Sequence, residues 1–195
     1  MISAVFPLPL LVLPGGVTRL RIFEPRYLSM VKQVMKNQLG FVLCQYAEER
    51  AHQVPEFAGY VKIIDFNQDK AGQLLIDVYC EHWVQIEEVW VDSENVRHGR
   101  IKRANDALWP ETSQAHDNDS TAAQLEQLSL ALQQVFAANP ELANLYPQPQ
   151  FNDSRWLISR WLELVPLSAN QKSALLSLPY FEQVVDFLHT LFKSG

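Results

Sequence analysis

The chain has 195 residues and a formal charge of −6, long enough for one large domain or two small ones with a buried core. No apolar run reaches the roughly 18–20 residues of a membrane span, and an acidic balance of this kind does not advertise nucleic-acid binding. The opening MISAVFPLPLLVLPGG lacks a basic n-region and an A-x-A site and carries two prolines in its apolar stretch. It is therefore read as a buried strand rather than a signal peptide, and the protein is expected in the cytoplasm.

In chain order the first half reads as β-rich. AVFPLPLLVL ends in the turn signal Pro14-Gly15-Gly16, and VTRLRIF follows with alternating apolar and basic residues. A helix is expected over 25–37, with Glu24 at its N-cap position and Pro25 in its first turn, where a missing N–H costs little. Tyr27, Met30, Val31, Val34 and Met35 fall at i, i+3, i+4, i+7 and i+8, which makes one core-facing stripe. GFVLCQY is a strand, and GYVKIIDF and QLLIDVYC are two more joined by the polar loop NQDKAG. In HWVQIEEVWVD, Val84 and Ile86 have one parity, Val89 and Val91 the other. A β-bulge or sharp bend is expected at Glu87-Glu88. VRHGRIKRA is the last strand.

Beyond residue 105 the character changes. Residues 1–105 hold twelve Lys/Arg and twelve Asp/Glu, whereas the remainder holds four against ten. The expected layout is a bent antiparallel β-barrel with one helix over 1–105, a linker over 106–120 and a four-helix bundle over 121–195, an α+β chain. In the bundle, Leu125, Leu128, Leu132, Val135 and Phe136 form one stripe, and NPELANLYPQPQFND is a proline-punctuated connection with room for one helical turn. SRWLISRWLELV stops at Pro166, Ser168 caps the next helix, and Pro179 opens the last.

Catalytic signatures are missing. No Gly-rich phosphate loop precedes a helix, and H-E-x-x-H and G-x-S-x-G do not occur. Cys80-x-His82 supplies two same-face ligands on a strand but no second pair, and His52, His98, His116 and His189 are scattered, so no metal or other cofactor is expected. Cys44 and Cys80 lie in apolar runs and are read as reduced core thiols. Glu48-Glu49 and Glu87-Glu88 are sequence neighbours, which in a strand point to opposite faces and make no acid–base couple. The run Arg97, His98, Arg100, Lys102 and Arg103 is the one candidate for RNA, read here as a charge-protected strand edge. Trp156 and Trp161 belong to a helix that buries one face. Trp90, Trp109, Tyr46 and Phe57 are the aromatics expected at the surface, where they suit polypeptide contacts.

The stretch FPLPLLVLPGGVTRLRIFEPRYLSMV resembles the opening of the amino-terminal, substrate-binding domain of ATP-dependent Lon proteases. The likeness continues through GYVKIIDF, GQLLIDVYCEHWVQIEEV and ISRWLELVPLSANQKSALLSL, with I-F-E-P-R-Y its most specific part. It implies a PUA-like barrel followed by a helical bundle, and a role in recognising unfolded or damaged polypeptide. Where members of that family often have Gly and Arg, this chain has Cys80 and Trp83. Glu24-Pro25-Arg26-Tyr27 is thus a structural joint rather than an active site. The expected function is a stand-alone, non-enzymatic binder of polypeptide or partner proteins without ATPase or Ser-Lys protease domains. The alternatives are an adaptor or regulator of full-length Lon, self-association with its own kind, or a PUA-like RNA binder.

Overall fold

The computed structural model describes residues 1–104, 108–109 and 118–193. Two compact units divide the chain, Met1–Asp106 and Ala107–Gly195. The architecture is α+β, and most of the expected linker over 106–120 lies outside the described residues.

The first unit contains β1 (Ile2–Leu8), β2 (Val17–Ile22), α1 (Pro25–Lys36), β3 (Phe41–Gln45), a short 3₁₀ turn (Ala51–Gln53), β4 (Phe57–Gln68), β5 (Leu74–Val91) and β6 (Arg97–Arg103). The sheet order is β2-β5-β4-β3-β1-β6, with a further pairing of β5 to β6. Pairings therefore run in a ring from β1 through β3, β4, β5 and β6 back to β1, with β2 attached outside on β5. This is possible because β5 is 18 residues long and serves two neighbours along the edge opposite β4. Its first half takes β2 and its second half takes β6.

The ladder between β5 and β6 shifts register between Ile86 and Glu88, where the parity of the apolar residues changes. Val84 and Ile86 are buried before the shift, and Val91 is exposed after it. One pairing departs from the antiparallel expectation: β1 and β3 run parallel, Val5 opposite Val42. Parallel neighbours need a long crossover, and the segment that carries β2 and α1 provides it.

In α1, Pro25 occupies the first turn and the Glu24 side chain makes no cap bond. Instead Glu24 Oε2 accepts from Arg26 Nε at 2.8 Å. Tyr27, Met30, Val31 and Val34 are buried, and the Tyr27 ring stacks on Phe6 at 3.9 Å. Met35, expected in the same stripe, is exposed. Eight residues beyond Tyr27 it has rotated about 80° from that residue, to the far side from Met30 and Val34, which is enough to leave the core. Two apolar clusters fill the unit. Phe6, Leu20, Tyr27 and Ile76 belong to one, Val5, Val42, Val84 and Ile101 to the other. The adjacent residues Val5 and Phe6 feed different clusters because alternate strand side chains point to opposite faces.

The second unit contains α2 (Asn118–Ala138), α3 (Pro140–Leu145), α4 (Ser154–Leu164), α5 (Ala169–Leu176) and α6 (Phe181–Lys193). The proline-punctuated connection thus holds a full short helix, capped by Asn139 Oδ1 accepting from Leu142 N. Asp153 caps α4 through Trp156 N, and Ser168 with Gln171 forms a reciprocal capping box on α5. Leu128, Leu132, Ile158, Leu162, Val184 and Val185 make the core. Arg160 is buried in it and meets Glu163 with two bonds of 2.7 Å.

Candidate polypeptide-binding surface

The residues singled out from sequence have different environments. Tyr46, just after β3, and Phe57, at the start of β4, are 37% and 42% exposed and flank one loop in sequence. Trp90 is half-buried and stacks on His98, its cross-strand partner, with 6.1 Å between ring centroids. Trp109 corrects the expectation of an exposed aromatic: it is buried at 1% exposure. Its indole N–H donates to the Leu175 carbonyl at 3.3 Å, and its ring packs on Phe181 at 5.7 Å. An indole that finds an apolar neighbour and an acceptor buries readily, whatever the polarity of its neighbours in sequence.

The basic run on β6 is largely neutralised by β5. Arg100 pairs with Glu88 at 3.3 Å and Lys102 with Glu87 at 3.4 Å. Arg97 Nε donates to the His52 carbonyl at 2.8 Å, and Arg103 ends the strand, opposite Val84. These pairings reduce the positive field that a phosphate backbone needs.

Cys44 and Cys80 are free thiols in the interior. Burial pushes the Cys44 thiol up to about 12, so it is inert as a nucleophile. Cys80 Sγ lies 3.8 Å from the His82 carbonyl. Among the described residues no group of three or more His, Cys, Asp or Glu side chains converges as metal ligands. His116 lies outside the described residues.

The most exposed apolar surface of the strands is on the second half of β4, which sequence reasoning did not single out. Its residues Phe41-facing Val61, Val42-facing Tyr60 and Leu43-facing Gly59 sit between β3 and β5. From Lys62 onward β4 pairs, among the described residues, with β5 alone. There Ile64 is 56% and Phe66 61% exposed. The ladder bonds of the hairpin turn leave the Phe66 and Gln68 N–H groups directed away from β5. Each is covered from within its own strand: Asp65 Oδ1 accepts from Phe66 N, and Asn67 Oδ1 from Gln68 N, both at 2.8 Å. Side chains that occupy edge donors discourage the addition of another strand. The exposed Ile64 and Phe66 side chains therefore offer apolar contact without an open backbone template. Their signal was present in the sequence as apolar residues in a strand, but only the pairing partners reveal which strand half is uncovered.

A separate cleft of about 180 Å³ lies where the start of β1, one face of α1 and the turn between β5 and β6 meet. Met30, Val34, Tyr60 and Val96 are its buried apolar members, and Met1, Ile2 and Leu39 are strongly exposed. Gly40 is required at its edge, because a Cβ there would lie 2.3 Å from the Val61 carbonyl oxygen. Its N–H donates to the Tyr60 hydroxyl at 2.8 Å. Asp92 organises the turn. Its Oδ1 accepts from the Glu94 and Val96 amides and its Oδ2 meets His98 Nε2 at 2.8 Å. The Val96 amide bond is the largest cause holding the Asp92 carboxyl below its ordinary range.

Fold and surface together define a two-unit α+β protein with exposed apolar side chains on the outer half of β4. A family model described as the ATP-dependent protease La (LON) substrate-binding domain matches residues 3–188, and the chain belongs to that family. Among solved structures it is similar to a Lon N-terminal domain protein from Xanthomonas campestris, with TM-score 0.68 and 21% identity over 96% of each chain. It is also similar to the N-terminal domain of the Mycobacterium avium complex Lon protease, with TM-score 0.65 and 17% identity, again over 96% of each chain. No curated protein matches. Among the described residues no helix is long and apolar enough to cross a membrane.

Proposed function

We propose that this protein is a non-enzymatic, cytoplasmic binder of polypeptide, taking unfolded or damaged segments onto the apolar surface of its first unit. The match to a substrate-binding family over residues 3–188 carries the reading. The exposed Ile64 and Phe66 on the outer half of β4, with Tyr46 and Phe57 as further contacts, support it. Exposed apolar side chains that no intramolecular neighbour covers gain free energy when an unfolded chain covers them, at about 25 cal/mol per Å² of apolar area. A native client has already buried the groups that would meet them.

The test is a titration of one labelled client in its denatured and native forms, read by fluorescence anisotropy. The denatured form is expected to bind and the native form not to. Equal binding of both, or of neither, would sink the reading. Capture of full-length Lon in place of denatured polypeptide would instead make the protein an adaptor or regulator of that protease.

A further inference from the structure

We propose that residues 47–55, between β3 and β4, form a hinged cap whose Val54 occupies the place of an aliphatic side chain of bound polypeptide. The inference rests on the polypeptide-binding reading above and adds a gated subsite beside Tyr46 and Phe57. Strand pairing makes the opening. β3 and β4 are joined over Phe41–Leu43 and Gly59–Val61. Beyond that stretch Cys44 and Gln45 stay with β1, whereas Phe57 stays with β5. Val54 fills the space where the two strands part. It is 4% exposed and belongs to the apolar cluster of Val42, Cys44 and Val84.

The cap is bonded mostly to itself. The Ala47 amide donates to the Gln53 carbonyl, Arg50 to Ala47, Gln53 to Arg50 and Val54 to Ala51. Of residues 47–55 only Val54 is buried. Among the described residues, one hydrogen bond ties this segment to a strand: Arg97 Nε donates to the His52 carbonyl at 2.8 Å. His52 and Gln53, immediately before the plug, hold left-handed φ values of 58° and 59°, which cost free energy in any residue but glycine. A segment with one buried side chain, one outside bond and two strained residues opens at the low end of local stability. Swinging outward releases the left-handed pair and leaves an apolar space flanked by the exposed rings of Tyr46 and Phe57. An aliphatic side chain of an unfolded chain restores the burial that Val54 gives up, whereas a charged one would be stranded among apolar neighbours.

Binding that needs the open cap is weakened by the fraction of molecules that are closed. Arg97→Gln removes the tie to β6 and should raise the affinity for a permanently unfolded, uncharged, aliphatic-rich peptide about fivefold, the weight of one hydrogen bond. Gln53→Asn, whose side chain suits the left-handed region, should steady the closed cap and lower that affinity about twofold. In methyl-labelled wild-type protein, saturating peptide should move the Val54 methyl signals to those of an exposed valine. Peptide methyl protons should then show nuclear Overhauser contacts to Val42 and Val84. Peptide that binds while the Val54 methyls stay in place overturns the cap and leaves polypeptide binding intact, and this readout decides even where Arg97→Gln does not fold. Affinities equal to wild type in both variants overturn the cap as well. Failure of the peptide to bind the wild type and both variants overturns the cap and the reading beneath it.

Discussion

The two halves of β4 are one continuous strand in different surroundings. Gly59 to Val61 pair with both β3 and β5, and Ala58 to Val61 are buried throughout. From Lys62 to Gln68 the strand keeps only β5 among the described residues, and none of the seven is fully buried. The hydrophobic character does not fall in step, since Ile63, Ile64 and Phe66 are all in the second half. What differs is the second neighbour. A strand paired on both edges is fixed in the scaffold, whereas one paired on a single edge keeps apolar side chains available for something outside the chain. The register shifts after Tyr60 and Ile63 mark the change from one to the other.

That contrast is open to direct attack. The largest effect is expected from Gly40→Ala. Its new Cβ would meet the Val61 carbonyl oxygen at 2.3 Å and the Tyr60 ring at 2.7 Å, forcing the inner half of β4 away from its neighbour. A loss of about 3 kcal/mol or more in urea unfolding is expected, at the upper end of overpacking costs. Tyr60→Phe removes the hydroxyl that accepts the buried Gly40 amide, and stranding such a donor costs about 1–3 kcal/mol by the same measurement.

The outer half should respond in the opposite way. Replacing Asp65 and Asn67 together by alanine uncovers the Phe66 and Gln68 edge amides. Stability should move by only about 0.5 kcal/mol per site, while sedimentation velocity should show new dimers or larger species formed by strand addition. Phe66→Glu should leave the melting temperature nearly unchanged, yet weaken denatured-polypeptide binding about tenfold, as for an interface anchor. A Phe66→Glu protein that unfolds would show that the outer half belongs to the scaffold after all.

Much of the fold was legible because local patterns determine it. The parity change between Val84–Ile86 and Val89–Val91 marks the bulge, and the Tyr27–Met30–Val31–Val34 stripe marks α1. Family membership was legible for a similar reason, since Ile22 to Tyr27 joins a strand to a helix in a specific way. The surface was less legible, because exposure depends on partners distant in sequence. Trp109 sits in a polar stretch but reaches Leu175 and Phe181. Phe66 sits in a strand pattern, but no strand among the described residues pairs with its outer edge. The parallel pairing of β1 with β3 was equally hidden, because strand patterns report burial and not direction. The cleft joins residues from positions 1 to 98, and no local spacing announces such an assembly.

The central claim is that the first unit binds unfolded polypeptide through apolar surface that its own fold leaves uncovered. Its most direct test is amide chemical-shift mapping on the isotopically labelled full chain during titration with a permanently unfolded polypeptide. The account predicts saturable shifts over Lys62–Gln68, with little change over Ala58–Val61 on the inner half of the same strand. Shifts confined to the helices of the second unit, or none at saturating polypeptide, would contradict it.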